Sequence, residues 1–498
     1  MLWLALHLPR LPLEAFPSRP PPSAIVCRER IVVADAAAAL AGVQPGMRLA
    51  GAWALLPSLL VQERDIEREQ AALRQLACWA GRFTSEVCLL SPQTLLLEIA
   101  ASLRLFGGAE SLFEQVVEGC LAQGFTPQAA LAPTPLGAQW LAAVGGSAPC
   151  LEPADLPQRL AALPLATLNF TAQNQSRLAG FGAHLLGDVL HLPRAGLARR
   201  LGIGFAADLA RALGELPDPR ARFVFPARFV ALLELPVRVE NSLALGFAGR
   251  QLVAVLCGWL AARSGGISEC TFELVHERGV RQRPATLLTL RLTGATRDAE
   301  RIGRVLVEHL QHLALPAAVD VLVLRADSPV PLSAASGSLF GERAAGARTG
   351  AADSSVAALV ERLQARLGPL RVHGLAHVAE HRPENASQPV APLLNGSRRT
   401  PLKTLQQASR TPAPGKPRPL CLLPSPQSLR EVAGRPQRNG ALQLLAGPER
   451  IESGWWDSAE PDALGDVRRD YFVARSPRAE CLWIFRNERG WFLHGIFS

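Results

Sequence analysis

The sequence predicts an α+β protein built of several domains, and three observations carry that reading. The chain has 498 residues, more than one core organises, since domains run to about 100–200 residues. Hydrophobic residues make up 48% and charged residues 19%, enough apolar surface for packed cores and too much for a disordered, collagen-like or coiled-coil chain. Between about 230 and 327 the apolar patterns run strand, helix, strand, strand, helix, strand, a split βαβ order with one helical face and one open sheet face.

Leu2–Leu8 is a short apolar run that reads as a first strand, without the basic start and small-residue cleavage site of a signal peptide. Ile31–Val33 is a second strand, and Gly42–Leu49 (GVQPGMRL) breaks the pattern. Over Ile66–Phe83 apolar residues recur at three and four, which predicts a helix. Thr94–Ile99 is a further strand, stopped at Gly107-Gly108. From about 161 to 225 short helical patterns alternate with turn signals; Leu178–Gly182 (LAGFG) joins two of them and Asp188 is placed to cap the second. The βαββαβ segment has strands near Val230–Val237, Glu269–His276, Thr286–Leu292 and Val319–Leu324, with helices near Ala244–Arg263 and Ala299–Leu313. Beyond Asp327 the residues turn small and polar, and a helical pattern returns at Val356–Leu367. Residues 385–440, rich in Pro, Ser, Gln and Arg, predict disorder. The stretch from 441 is dense in aromatics, with Trp455, Trp456, Trp483, Trp491 and the single Tyr471.

Nine scattered cysteines with no CxxC pair point to reduced thiols rather than to a disulfide framework or a zinc site. His373, His377 and His381 recur every four residues, but Gly374 and Pro383 interrupt them, so a surface segment is expected and no metal site. No apolar run reaches the roughly 18 uninterrupted residues that span a bilayer. The formal charge is +9, yet residues 391–440 alone hold nine basic residues against Glu431, a net of +8. The basic signal therefore belongs to a linker rather than to a folded groove. No cofactor is expected, and the reduced thiols point to a cytoplasmic location.

This order of pieces resembles a Y-family (translesion) DNA polymerase. GVQPGMRL with the following LLPSL is similar to the family's fingers segment, Ser102–Gly108 (SLRLFGG) to the stretch after its second catalytic motif, and LAGFG to its thumb helix-hairpin-helix. The resemblance implies a palm over 1–160 with fingers inserted at about 17–65, a thumb over 161–228 and a βαββαβ little finger over 229–327. It is followed by a flexible linker with a clamp-binding motif (328–355), a short helical segment (356–384), a basic disordered linker (385–440) and a Trp-rich partner-binding module (441–498).

Working members of that family hold two Mg²⁺ ions with carboxylates, hard oxygen ligands that neutralise a triphosphate. Anchored on Glu14, the first motif places Ala5 and His7 where its two aspartates belong, with Pro9 at the Phe and Arg10 at the steric gate. The second motif aligns its Asp-Glu with Gln93 and Thr94, and neither is charged. The fingers' triphosphate contacts fall on Ala36 and Ala39, and the palm lysine on Gln139. These substitutions imply a polymerase fold without polymerase activity. The rival reading is an active polymerase whose metal ligands are displaced to acids such as Asp35, Glu98 or Glu110.

The opening LWLALHLPRLPLEA and the tail segments Gly447–Asp457, Arg468–Arg475, Leu482–Arg486 and Trp491–Phe497 resemble the ImuB family, inactive Y-family homologues of bacterial mutagenesis cassettes. That resemblance implies a scaffold whose partners are the sliding clamp, an ImuA-like RecA-related protein, an error-prone C-family DNA polymerase and primer-template DNA, with no membrane. Ser336, Gly337, Ser338, Leu339 and Phe340 form the expected clamp-binding peptide, its Leu and Phe filling a clamp pocket. DNA contact is expected from the backbone amides of Gly180, Phe181 and Gly182 and from Arg281, Arg283 and Arg291. Trp455, Trp456, Tyr471, Trp483, Arg486 and Trp491 are read either as partner anchors or as the core of a small β module. A hub that binds proteins and no DNA is the remaining alternative.

Overall fold

The alternation Trp-Leu-Ala-Leu-His makes β1 (Trp3–His7) a strand with two buried faces. The computed structural model describes residues 1–17, 20–90, 92–146, 149–168, 170–276, 283–327, 329–332, 349–368, 370–378, 380–390, 418–419, 421–453 and 467–497. After β1 and a short α1 (Leu11–Glu14) come β2 (Ser23–Cys27), β3 (Arg30–Ala34), α2 (Ala36–Leu40), α3 (Leu49–Leu55) and β4 (Leu60–Glu63), in the segment expected as fingers. Their small core gathers Ala24, Val26, Ile31, Ala38, Val43, Ala52 and Leu59.

The palm resumes with α4 (Ile66–Ala80), β5 (Val87–Leu90), β6 (Thr94–Glu98), α5 (Ala109–Ala122), β7 (Gln128–Ala132) and α6 (Pro135–Val144). Its sheet runs β5-β6-β1-β7, with β1 antiparallel to both neighbours. Leu4 and Leu6 share a core with Leu73 and Leu76 of α4 and Leu112 and Val116 of α5. Trp3 and Ala5, on the other face, share a second core with Trp140 and Leu141 of α6.

That second core continues through five short helices: α7 (Leu156–Ala161), α8 (Ala172–Gly180), α9 (Leu186–Leu190), α10 (Arg194–Leu201) and α11 (Ile203–Leu213). The next segment has the split βαβ order, as β8 (Phe229–Val239), α12 (Leu245–Ala262), β9 (Gly265–His276), β10 (Thr286–Thr296), α13 (Ala299–Gln311) and β11 (Val319–Ala326). Its sheet is ordered β10-β9-β11-β8. Among the described residues one helix, Ser242–Ala262, is long and apolar enough to cross a bilayer. Burial accounts for that composition, because Leu252, Val253, Val255, Leu256, Trp259 and Leu260 are all within the core.

The palm and little finger meet helix on helix. Gly258 of α12 leaves room for the backbone of Cys78 and Trp79 at the end of α4. Arg68 of α4 holds Glu234 of β8 through two bonds of 2.8 and 2.9 Å.

Two elements follow β11: β12 (Val330–Pro331), paired with Gly265 and Gly266, and α14 (Thr349–Leu367). The helix is longer than the sequence pattern predicts and ends well short of 384. Glu361 of α14, 1% exposed, receives Arg301 of α13 and the backbone amide and hydroxyl of Thr293 in β10. Arg362 and Arg366 reach Glu308 of α13, each at 2.9 Å.

Met1–Arg366 forms one compact unit and Leu367–Ser498 a second. The second contains the hairpin β13 (Gly374–His377) and β14 (Ser387–Val390), so His373, His377 and His381 do not share a helix. It also contains a six-stranded antiparallel sheet of β15 (Cys421–Val432), β16 (Arg435–Gln437), β17 (Gln443–Ser453), β18 (Val467–Arg475), β19 (Cys481–Asn487) and β20 (Gly490–Ile496). The sheet order is β16-β15-β20-β19-β18-β17.

This corrects the expected disorder over 385–440, since β14, β15 and β16 lie inside it. Residues 391–417 and 420 are outside the described residues. Pro424 and Pro426 made β15 read as linker; they sit where its register with β20 shifts between Leu422 and Gln427, a break that asks for no ladder donors.

Candidate functional site

The strand ladder brings together three of the four positions expected to be degenerate. His7 is opposite Thr94 of β6, and Ala5 is opposite Leu96 on one side and Ala130 on the other. Trp3, Ala5 and His7 point to one face by alternation. Ala5 is fully buried and offers the site nothing but a methyl group. His7 Nδ1 lies 3.1 Å from Thr94 Oγ1, and the Gln93 amide nitrogen lies 3.3 Å from His7 Nε2. With the Gln93 amide donating, the ring accepts at Nε2 and keeps its proton at Nδ1 for the threonine hydroxyl. Burial lowers the His7 pKa below the ordinary imidazole value, so the ring is neutral at pH 7. His7, Gln93 and Thr94 thus form a closed, uncharged hydrogen-bond cluster.

The acids of the rival reading have other tasks. Asp35 is the N-cap of α2: it accepts from the Ala38 amide at 2.8 Å and from the Ser23 amide and hydroxyl. Glu98 accepts from the amides of Leu2 and Ala100, and it sits at the opposite end of β6 from Thr94. Glu110 is exposed in the first turn of α5. Glu14 accepts from the Thr126 amide at 2.9 Å. Among the described residues no group of three or more His, Cys, Asp or Glu side chains is arranged to hold a metal ion.

An open cleft of about 1460 Å³ lies between fingers, palm and little finger, and none of His7, Gln93 and Thr94 lines it. Arg10, Phe16, Asp35, Arg68 and Glu234 are on its walls. Ala36 and Ala39 stand exposed on α2, methyl groups with nothing to grip a triphosphate. Gln139 is half-buried on α6.

The thumb loop corrects an expectation. Gly182, at φ +71°, ends α8 in the left-handed conformation that glycine adopts freely. The Phe181 amide donates to Arg177 and Leu178 carbonyls, Gly182 to Ala179 and Ala183 to Leu178. The amides of His184 and Leu185 both donate to Asp188. The donors from Phe181 to Leu185 are therefore consumed in capping the two helices, and Gly180 is the last residue of α8; this loop is no phosphate cradle. Phe181 is itself exposed, with the Arg200 guanidinium 5.3 Å from its ring.

On the little-finger sheet, Arg291 of β10 bonds Glu269 of β9 at 3.1 Å, and Arg325 of β11 bonds Glu273 of β9 at 3.1 Å. The two glutamates alternate with buried Cys270, Phe272 and Leu274, so they share the open face. This acid content was legible in the spacing of Glu269 and Glu273, which the sequence reading passed over. Arg283 donates to the Pro316 carbonyl. Arg281 and the peptide Ser336, Gly337, Ser338, Leu339 and Phe340 lie outside the described residues.

The aromatic end separates into core and surface. Tyr471, Trp483 and Trp491 are 1%, 2% and 5% exposed, which removes them as partner anchors. Tyr471 stacks on Trp483 at 4.1 Å between centroids, receives Arg469 at 3.2 Å and donates to His494 Nδ1 at 2.8 Å. Burial pushes the Tyr471 phenol up to about 12. Trp491 packs with Phe472 on the opposite face of the sheet. Arg486 is exposed, 5.7 Å from the Trp491 ring. Trp455 and Trp456 are outside the described residues.

The chain is similar to known proteins. Residues 19–143 match the model of the impB/mucB/samB family. Protein ImuB of Caulobacter vibrioides, in strains NA1000 / CB15N and ATCC 19089 / CIP 103742 / CB 15, is 30% identical over 483 residues, covering 92% of this chain and all of the relative. Among solved structures, an insertion ternary complex of Dbh DNA polymerase matches with a TM-score of 0.39 and 14% identity, over 67% of this chain and 100% of that one. DinB from Sulfolobus solfataricus matches with a TM-score of 0.36 and 14% identity over the same shares. With that identity carried along the whole of a curated relative, the chain belongs to the ImuB family.

Proposed function

We propose that this chain is a non-catalytic scaffold of translesion synthesis and SOS mutagenesis, polymerase-shaped but without a two-metal centre. The observation that carries the reading is the neutral cluster of His7, Gln93 and Thr94 on the central palm strands. Two Mg²⁺ ions and a triphosphate need several negative charges held close together, and an imidazole, an amide and a hydroxyl supply none. In this reading the chain binds primer-template DNA, and Ser336–Phe340 docks on the sliding clamp. Trp455, Trp456 and exposed Arg486 recruit an ImuA-like RecA-related protein and an error-prone C-family polymerase. The protein works in the cytoplasm at the nucleoid, with no membrane and no cofactor.

Purified sliding clamp is then captured by the full chain and not by a Leu339→Ala/Phe340→Ala double variant. Capture that survives the double substitution would remove the peptide from the account.

A second reading, a protein-binding hub that no longer touches DNA, is favoured by the capped thumb amides and by the Arg291–Glu269 pair. Filter binding to primer-template DNA separates the two. Phosphate contacts give an affinity that falls steeply with salt, whereas the hub binds no DNA even at low salt.

A further inference from the structure

Helix α14 is mounted with its polar side inward. The residues it turns to the little finger are Ala357, 6% exposed, and Glu361, held by Arg301 and Thr293. At 100° per residue, Leu359 and Leu363 lie about 160° around the helix from Glu361, with Val356 and Leu367 beside them. All four are exposed, Leu359 and Leu367 to 54%. Single exposed leucines are ordinary, but four aligned over three turns, opposite a buried carboxylate, form a ridge about 16 Å long that faces solvent.

One flank of that ridge is basic. Arg362 and Arg366 share the single carboxylate of Glu308, so one positive charge is left in excess, and they stay 54% and 48% exposed. Glu361 adds no acid to the surface, because it is buried against Arg301.

We propose that the Val356–Leu359–Leu363–Leu367 face of α14 is a docking surface for an amphipathic helix of another protein, one that carries carboxylates beside its own leucine ridge. Ridge packs against ridge, and the partner's acids meet Arg362 and Arg366. A second copy of this chain is a poor occupant, since the charges flanking its own ridge are the same two arginines. The surface does not depend on whether the palm catalyses or whether Ser336–Phe340 binds a clamp, so it stands or falls apart from the proposed function.

The test uses the full-length chain and two fluorescein-labelled synthetic helices, with leucines at alternating spacings of three and four and either Glu or Lys at the flanking positions. Fluorescence anisotropy is expected to show saturable binding of the Glu helix and at least tenfold weaker binding of the Lys helix. A Leu359→Ser/Leu363→Ser variant melts only slightly lower, as serine's weaker helix propensity requires, and loses the Glu helix at least tenfold. An Arg362→Gln/Arg366→Gln variant narrows the preference between the two helices. Equal binding of both helices, or undiminished binding by the serine variant, overturns the proposal. So does a wild-type dimer in sedimentation that the serine variant dissolves, since the occupant is then a second copy. A melting temperature lowered beyond what serine's weaker helix propensity costs at two sites also overturns it, because the ridge is then covered by the chain itself.

Discussion

His7 and Thr94 face each other across the central pair of palm strands, ring nitrogen 3.1 Å from hydroxyl oxygen. Burial holds the imidazole below its ordinary pKa of 6.5. As pH falls the unfolded chain takes up the His7 proton first, so stability is full above about 6.5 and declines below it. The loss is complete once pH has passed through the lower folded value. An NMR titration of His7 should show a midpoint below that of a free histidine, and His7→Gln should flatten this part of the stability profile.

Gly258 carries the contact between little finger and palm. A methyl group there would meet the Trp79 carbonyl oxygen and, at 2.5 Å, that of Cys78, both backbone atoms that cannot turn aside. Gly258→Ala should cost about 1–3 kcal/mol by overpacking, read as a lower urea midpoint. Gly246→Ala on the same helix, with no atom closer than 3.7 Å, should change it far less.

Glu361→Ala would leave Arg301, 23% exposed, without its carboxylate and free the Thr293 groups that bond the same oxygen. Removing one partner of a buried pair costs about 3 kcal/mol or more, and hydrogen exchange should show α14 opening before the rest of the little finger. Glu308 adds an acid dependence. Burial pulls its carboxyl up, but bonds from Arg366 and Arg362 more than reverse this and leave it below its ordinary 4.5. Its contribution is present above about 4.5 and is lost as pH falls through the folded value.

Much of this architecture was legible. The βαββαβ order showed in the alternation of apolar runs, because buried Phe272 and Leu274 repeat at two and the α12 residues at three and four. That His7 and Thr94 stand on neighbouring strands followed from reading Leu2–Leu8 and Thr94–Ile99 as strands, whereas the hydrogen bonds joining His7, Gln93 and Thr94 depend on a register that only the sheet fixes. The loop amides at Phe181 and Gly182 were misread: LAGFG shows a glycine hairpin but not where its donors point, which Asp188 and the α8 carbonyls decide. β15 was missed since Pro424 and Pro426 mimic a linker in composition, while the register break that accommodates them exists only in the sheet. The fates of Tyr471, Trp483 and Trp491 were undecidable from composition, because an aromatic in a strand faces core or solvent according to its register.

Tyr471 and Trp483 should then behave as core residues. Tyr471→Phe loses the bond to His494 and should cost about 1 kcal/mol, whereas Trp483→Ala should cost about 3–5 kcal/mol. Thermal melts of the full chain followed by near-ultraviolet dichroism check both.

The most direct test is primer extension by the full-length chain, with all four deoxynucleotides and Mg²⁺ or Mn²⁺, beside a working Y-family polymerase. The account predicts no incorporation above a no-protein control with either metal. Template-directed incorporation that scales with the amount of protein and disappears in Asp35→Ala, Glu98→Ala or Glu110→Ala would contradict it, because displaced carboxylates would then be holding the metals after all.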